Sequence, residues 1–166
     1  MEIKNLSSKY DVRYLDKQDA DIIYNLCSKN EIFYRYHPPF VTRESILEDM
    51  TALPPNKDFK DKIYVGFFKN DILVAIMDLI LDFPKEQVAY IGLFMMNMAF
   101  QGQGIGTNLI SDCLEYLSKS GYKKIRLAID KGNLQSETFW TKNRFVKTGE
   151  EIPNGISAYI PMEKLL

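Results

Sequence analysis

Two cysteines and one histidine are all the soft metal-ligating chemistry in these 166 residues. Cys27 and Cys113 each fall on the apolar face of a helical pattern, so they read as reduced core thiols. Neither a disulfide framework nor a metal site is expected. Charge of one sign is also lacking. With 21 basic and 22 acidic residues the formal net charge is −1, without the basic face that a dedicated nucleic-acid binder presents. The longest apolar run, Tyr90 to Phe100, is interrupted by Asn97 and falls short of the roughly 20 residues that a membrane span requires. Met1-Glu2-Ile3-Lys4-Asn5 has no apolar segment behind a basic start, so no signal peptide is expected and a cytoplasmic location is the default. Repeats and low-complexity linkers are missing as well.

What is present suits one domain over residues 1–166. A 46% hydrophobic content supports a core, and a chain of this size buries roughly 70% of its unfolded surface. Tyr10 to Leu15 alternates as a strand. Asp16 and Asp19 form a modified capping box before a helix carrying Ile22, Ile23, Leu26 and Cys27. Thr42 caps a second helix with an apolar stripe of Ile46, Leu47, Met50 and Leu53, stopped by Pro54-Pro55. Phe33 to Phe40 reads as an aromatic-rich connection between them. Ile63 to Phe68 and Ile72 to Leu81 form an antiparallel hairpin around Lys69-Asn70-Asp71. Val88 to Met96 is a third strand. Ile105, Leu109, Cys113, Tyr116 and Leu117 trace one face of a long helix ending near Gly121. Lys124 to Ile129, a short helix from Asn133 to Asn143, and strands near Phe145 to Gly149 and Ser157 to Met162 complete the chain. The expected architecture is α/β, a mixed and mostly antiparallel sheet of about six or seven strands flanked by about four helices.

The most informative stretch is Gln101-Gly102-Gln103-Gly104-Ile105-Gly106, at the junction of an apolar strand and a helix. Alternate glycines let successive main-chain N–H groups converge on an anion, and the positive end of the following helix dipole would act on the same atoms. A P-loop needs lysine after its last glycine, where Thr107 and Asn108 stand. A dinucleotide fingerprint needs GxGxxG early in the chain. Neither fits. A turn that binds nothing remains the plain alternative.

The run does match Q/R-x-x-G-x-G/A through Gln101, Gly104 and Gly106, and so resembles the acetyl-CoA pyrophosphate loop of the GNAT superfamily of N-acetyltransferases. Asn133-Leu134-Gln135-Ser136 through Phe139-Trp140 to Asn143-Arg144-Phe145 is similar to that family's second signature, and Tyr159 to Lys164 to its final strand. The resemblance covers Val88 to Leu166 in motif order. It implies a bulged strand splayed from its neighbour. Main-chain groups of Met95, Met96 and Asn97 would then hold the pantetheine arm, with Gln101, Gly102, Gln103, Gly104, Ile105, Gly106 and Thr107 on the diphosphate and Asn133, Ser136 and Trp140 beside the cofactor. It further implies acetyl transfer from acetyl-CoA to a primary amine, on a small molecule or a peptide or protein.

Two departures stand out. Trp140 replaces the tyrosine that protonates the leaving thiolate in many members, and indole is no ionising acid. Arg144 replaces a glycine. A catalytically weak acyl-CoA-binding or sensor module is therefore a second reading. Proton acceptors are sought among Glu86, at the start of the strand feeding the loop, Asp78 in the preceding strand, Tyr90, and His37, whose imidazole type titrates near neutral pH. Phe33 to Phe40 and Glu150 to Gly155 are the expected acceptor walls. No metal, nucleic acid or membrane is expected, and acceptor identity and homo-oligomerisation stay open.

Overall fold

The computed structural model describes residues 1–166. Its strands are β1 (Asp11–Tyr14), β2 (Lys62–Lys69), β3 (Ile72–Ile80), β4 (Val88–Met96), β5 (Lys124–Asp130), β6 (Val146–Lys147), β7 (Ile152–Pro153) and β8 (Ala158–Leu165). The helices are α1 (Ala20–Cys27), α2 (Glu31–Tyr36), α3 (Arg43–Thr51), α4 (Ile105–Lys119) and α5 (Leu134–Lys142), with short 3-10 turns between them. One mixed sheet runs β1-β2-β3-β4-β5-β8-β6, and β7 adds to β8. Only β4 and β5 are parallel, joined through α4.

The α/β class and the hairpin hold, while the sheet has eight strands and five helices accompany it. The extra helix is α2, which overlaps the segment Phe33 to Phe40 read as a connection. Aromatic residues are middling helix formers, and α2 buries none of its residues fully, so no apolar periodicity announces it. Asp16 accepts from Gln18 N–H at 2.7 Å and Asp19 from Asp16 N–H at 3.0 Å, the expected box, which opens a 3-10 turn before α1. Thr42 and Ser45 make the reciprocal box of α3. The α3 stripe is narrower than its sequence suggests: Ile46 is buried but Leu47 is 40% exposed, because α3 packs on α1 rather than flat on the sheet.

Two apolar cores lie on the two sheet faces. The larger joins Val65, Phe67, Ile91 and Met96 to Leu109, Cys113 and Leu117 of α4. The smaller joins Tyr64, Ile76 and Met95 to Ile23, Leu26 and Ile46. Within β4 the alternation changes parity. Ala89 and Ile91 belong to the α4 side, yet Met95 belongs to the other. The cause is a bulge: Asp78 pairs with Leu93 and Leu79 with Ile91, leaving Gly92 without an opposite residue. A Cβ on Gly92 would lie 2.9 Å from Asp78 Oδ2, so glycine there leaves room for the Asp78 carboxylate.

Beyond the bulge β4 leaves β5. Their pairing covers only Val88 to Ile91 against Lys124 to Leu127, while Ala128, Ile129 and Asp130 continue on β8 alone. This is the expected splay, and it opens the middle of the sheet.

Candidate active site

A groove of about 290 Å³ runs from the splay to the start of α4. Gly102 and Gly104 have φ of +72° and +77°, where a side chain would strain the backbone. Nothing lies within 4 Å of a Cβ at either, so their surface is open. The first intrahelical bond of α4 is from Asn108 N–H to Gly104 O at 3.1 Å. None of the N–H groups from Gly102 to Thr107 is spent on another protein group. A row of free donors at the positive end of a 15-residue helix fits a diphosphate. Gly106 serves differently, since a Cβ there would sit 3.1 Å from the Phe139 ring; its small size lets α4 approach α5.

Several expected cofactor contacts are used inside the protein. Asn97 donates its N–H to Val74 O, accepts from Phe100 N–H at its carbonyl, and spends its amide on Leu73 O and Ala99 N–H, so it shapes the loop. Gln101 turns inward: Nε2 donates to Asn30 Oδ1 at 2.8 Å and to Met96 O at 3.1 Å, while Asn30 Nδ2 also donates to Met96 O. The Met96 carbonyl is thereby filled, and Gln101 positions the loop rather than reaching outward. Gln103 bonds Ala99 O, and the Ile105 side chain packs on the core. Met95, Met96, Gln101, Gly102, Gly104, Gly106 and Thr107 line the groove.

On the opposite wall Asn133 caps α5, accepting from Ser136 N–H at 3.1 Å. Its Nδ2 makes no hydrogen bond within the protein, and both residues face the groove. Trp140 is only 6% exposed and packs edge-on against Phe94, Phe139 and Phe145, so its ring belongs to the core while one edge lines the groove. Arg144 holds the left-handed φ of +66° that glycine would take. Asn30, Phe94 and Lys142 also line the groove, and sequence reasoning misses all three. Lys142 has a signal, a cation two helical turns from Gln135 on the same face of α5.

A second cavity, about 390 Å³, opens on the other side of the splay, and Phe33 lines both. Here the structure brings together His37, Asp78 and Tyr90. It leaves Glu86 out: this residue is exposed in the β3–β4 turn, at the end of β4 opposite the glycine loop. The expected wall Phe33 to Phe40 contributes Phe33, Tyr34, His37, Pro38 and Pro39, whereas Glu150 to Gly155 lines neither cavity.

His37 Nδ1 lies 3.2 Å from both oxygens of Asp130, which is buried at the end of β5. Phe33 and Tyr159 flank the imidazole. Asp78 accepts from the buried Lys62 ammonium at 2.8 Å through Oδ2. Burial raises the Asp78 carboxyl pKa, with the Lys62 bond opposing. Asp49, on α3, still meets solvent, yet enough protein surrounds its carboxyl to raise its pKa against the pull of Lys62 and His37. Burial also raises Tyr90, which keeps its proton as a donor. Asp49 and Asp130 carry no signal in the sequence, and Tyr159 reads there only as part of the last strand, because their partners are remote along the chain.

No curated protein matches the chain. Among solved structures, it superimposes on an acetyltransferase from Thermus thermophilus with a TM-score of 0.72 and 17% identity, covering 100% of both chains. A Thermoplasma acidophilum N-acetyltransferase in complex with coenzyme A gives 0.69 and 18%, covering 95% of this chain and 99% of that one. Spermidine N-acetyltransferase from Vibrio cholerae, in complex with CoA and spermine, gives 0.69 and 20%, covering 96% of each. At such identities these likenesses speak for the fold. The model of the acetyltransferase (GNAT) family matches residues 24–145, from α1 through the glycine loop to the end of the second signature, and the chain belongs to that family of acetyl-CoA-dependent enzymes.

Proposed function

We infer that the protein transfers an acetyl group from acetyl-CoA to a primary amine, of a small molecule or of a peptide or protein, by direct attack of the amine. The observation that carries this reading is the meeting of the two cavities at the splay, one floored by free main-chain donors and the other walled by aromatics and carboxylates. Bound acetyl-CoA supplies an activated thioester carbonyl. The chain's own residues do the rest. Free N–H groups from Gly102 to Thr107 hold the diphosphate, with Asn133 and Ser136 along the groove.

An incoming amine is an ammonium at neutral pH and must lose a proton before it attacks. His37, oriented by Asp130, is the acceptor best supported by geometry, and Nε2 is its remaining basic nitrogen. The freed lone pair forms the N–C bond as the C–S bond breaks. The bonded nitrogen sheds its second proton to solvent, and the departing thiolate takes one from solvent or a neighbouring donor such as Tyr90, since Trp140 has none to ionise. Proximity and orientation carry most of the rate in this scheme.

Calorimetric titration with acetyl-CoA and CoA, followed by thiol release against a panel of amines, tests it. Amine-dependent thiol release is expected. Tight CoA binding with no turnover on any amine would instead favour the acyl-CoA-binding module that Trp140 suggests.

A further inference from the structure

Asparagine is among the strongest N-cap residues, and Asn133 fills that place on α5. Asn30 occupies the same place on α2 and makes no side-chain cap bond. Its amide is spent elsewhere. Nδ2 donates to Leu26 O and to Met96 O at 3.0 Å each, and Oδ1 accepts from Gln101 Nε2 at 2.8 Å, although Gln101 lies 71 residues away. The residue is only 9% exposed, so little water competes for these bonds. Met96 ends β4 and Gln101 opens the glycine loop. One buried side chain thus ties the start of α2 to the cofactor loop and to the strand that feeds it.

α2 needs such a tie. It has six residues, too few to hold as a helix on its own, and buries none of them fully. Phe33 and Tyr34 rest half-buried on the smaller core, but apolar contact is non-directional and does not fix where along the sheet the helix sits. At the far end His37 is the C-cap, with a side chain 43% exposed and Asp130 as its hydrogen-bond partner. Phe33 lines both cavities. The placement of α2 therefore sets the wall between cofactor and acceptor together with the imidazole that takes the proton, and a shift of about 1 Å in such groups can cost a hundredfold in rate.

We propose that Asn30 is a positioning residue for the transfer, holding α2, and with it Phe33 and His37, in register with the glycine loop through Gln101 and Met96. This rests on the acetyl-transfer reading of the same site. Asn30 acts through its neighbours and handles no proton itself.

Hydrogen exchange of the CoA-loaded protein, calorimetry with CoA and steady-state kinetics test it on Asn30→Ala, Gln101→Ala and the double variant. In Asn30→Ala the amides of residues 31–37 are expected to exchange about tenfold faster, with those of α4, β2 and β3 unchanged. CoA affinity should stay within about threefold, because Gln101 Nε2 keeps its bond to Met96 O, while kcat with the amine giving most thiol release falls about tenfold. A merely structural role would not produce that split. Gln101→Ala cuts the same bond from the loop side, so it should loosen residues 31–37 as well, and it decides the matter if Asn30→Ala fails to fold. The double variant should lose less kcat than the product of the single losses, as residues in one network do. Unchanged exchange at residues 31–37, faster exchange throughout the sheet, CoA affinity falling in step with kcat, or losses that multiply would each overturn the proposal. No turnover of any amine by the unaltered protein would remove the acetyl-transfer reading and this proposal with it, whereas turnover that Asn30→Ala leaves intact would remove only this inference.

Discussion

In the proposed site, main-chain groups build the cofactor half, while side chains from α2, α3, β2, β3, β4, β5 and β8 build the acceptor half. The first asks little of side-chain identity beyond glycine where φ is positive, because the donors are N–H groups that every residue except proline carries. The second asks for particular acids, aromatics and one imidazole, held by contacts between distant parts of the chain. A main-chain cradle can therefore serve one cosubstrate across much sequence change, whereas a side-chain pocket can be retuned one residue at a time.

The division breaks most sharply at Gly104. Gly104→Val forces a β-branched residue into a φ of +77° at the N-cap of α4, and CoA affinity should fall by about a hundredfold or more in calorimetry while circular dichroism stays native. Normal affinity would return the glycine run to a plain turn. On the acceptor side, His37→Gln keeps a polar side chain but removes the base. It should lower kcat about tenfold to a thousandfold with little change in the KM for acetyl-CoA. A matching loss of CoA affinity would erase the division into halves.

Gln101→Ala probes the seam between them. It strips a donor from Asn30 Oδ1 and Met96 O, so thermal or denaturant unfolding should show a loss of about 1–2 kcal/mol. CoA affinity should change less than in the Gly104 variant, since Gln101 Nε2 points inward. The smallest effect concerns the thiols. Burial pushes Cys27 up to about 11 and Cys113 higher still, so both stay protonated at pH 8. A thiol reagent should leave the native protein untouched until it unfolds, and every thiol counted in a turnover assay should come from CoA.

Legibility follows the same divide. Gly102 and Gly104 are readable because a row of main-chain donors at a helix start is a local device with a local spacing, whereas Gly106 reads as part of that row and instead makes room for the Phe139 ring. The capping pairs Asp16/Asp19 and Thr42/Ser45 and the β2–β3 hairpin are local too. The bulge leaves a trace, a glycine inside β4 where the apolar alternation changes parity. Gln101 reads as a ligand group because nothing in its neighbourhood reveals Asn30, 71 residues away. Glu86 looks well placed by order, yet β4 carries it to the wrong end of the sheet. Lys62, partner of Asp78, has no role until the hairpin register brings the two together.

By itself the sequence determined the order of elements apart from α2, the glycine run and the family resemblance, since each depends on chemistry within a few residues of chain. Only the tertiary structure decided which side chains gather in the second cavity. His37 meets Asp130 across 93 residues, and the unpartnered Asp78 oxygen exists only because strands from separate parts of the chain exclude water around it. Electrostatic pairing acts through space and depends on burial, and neither distance in space nor burial is written in the spacing of residues along a chain.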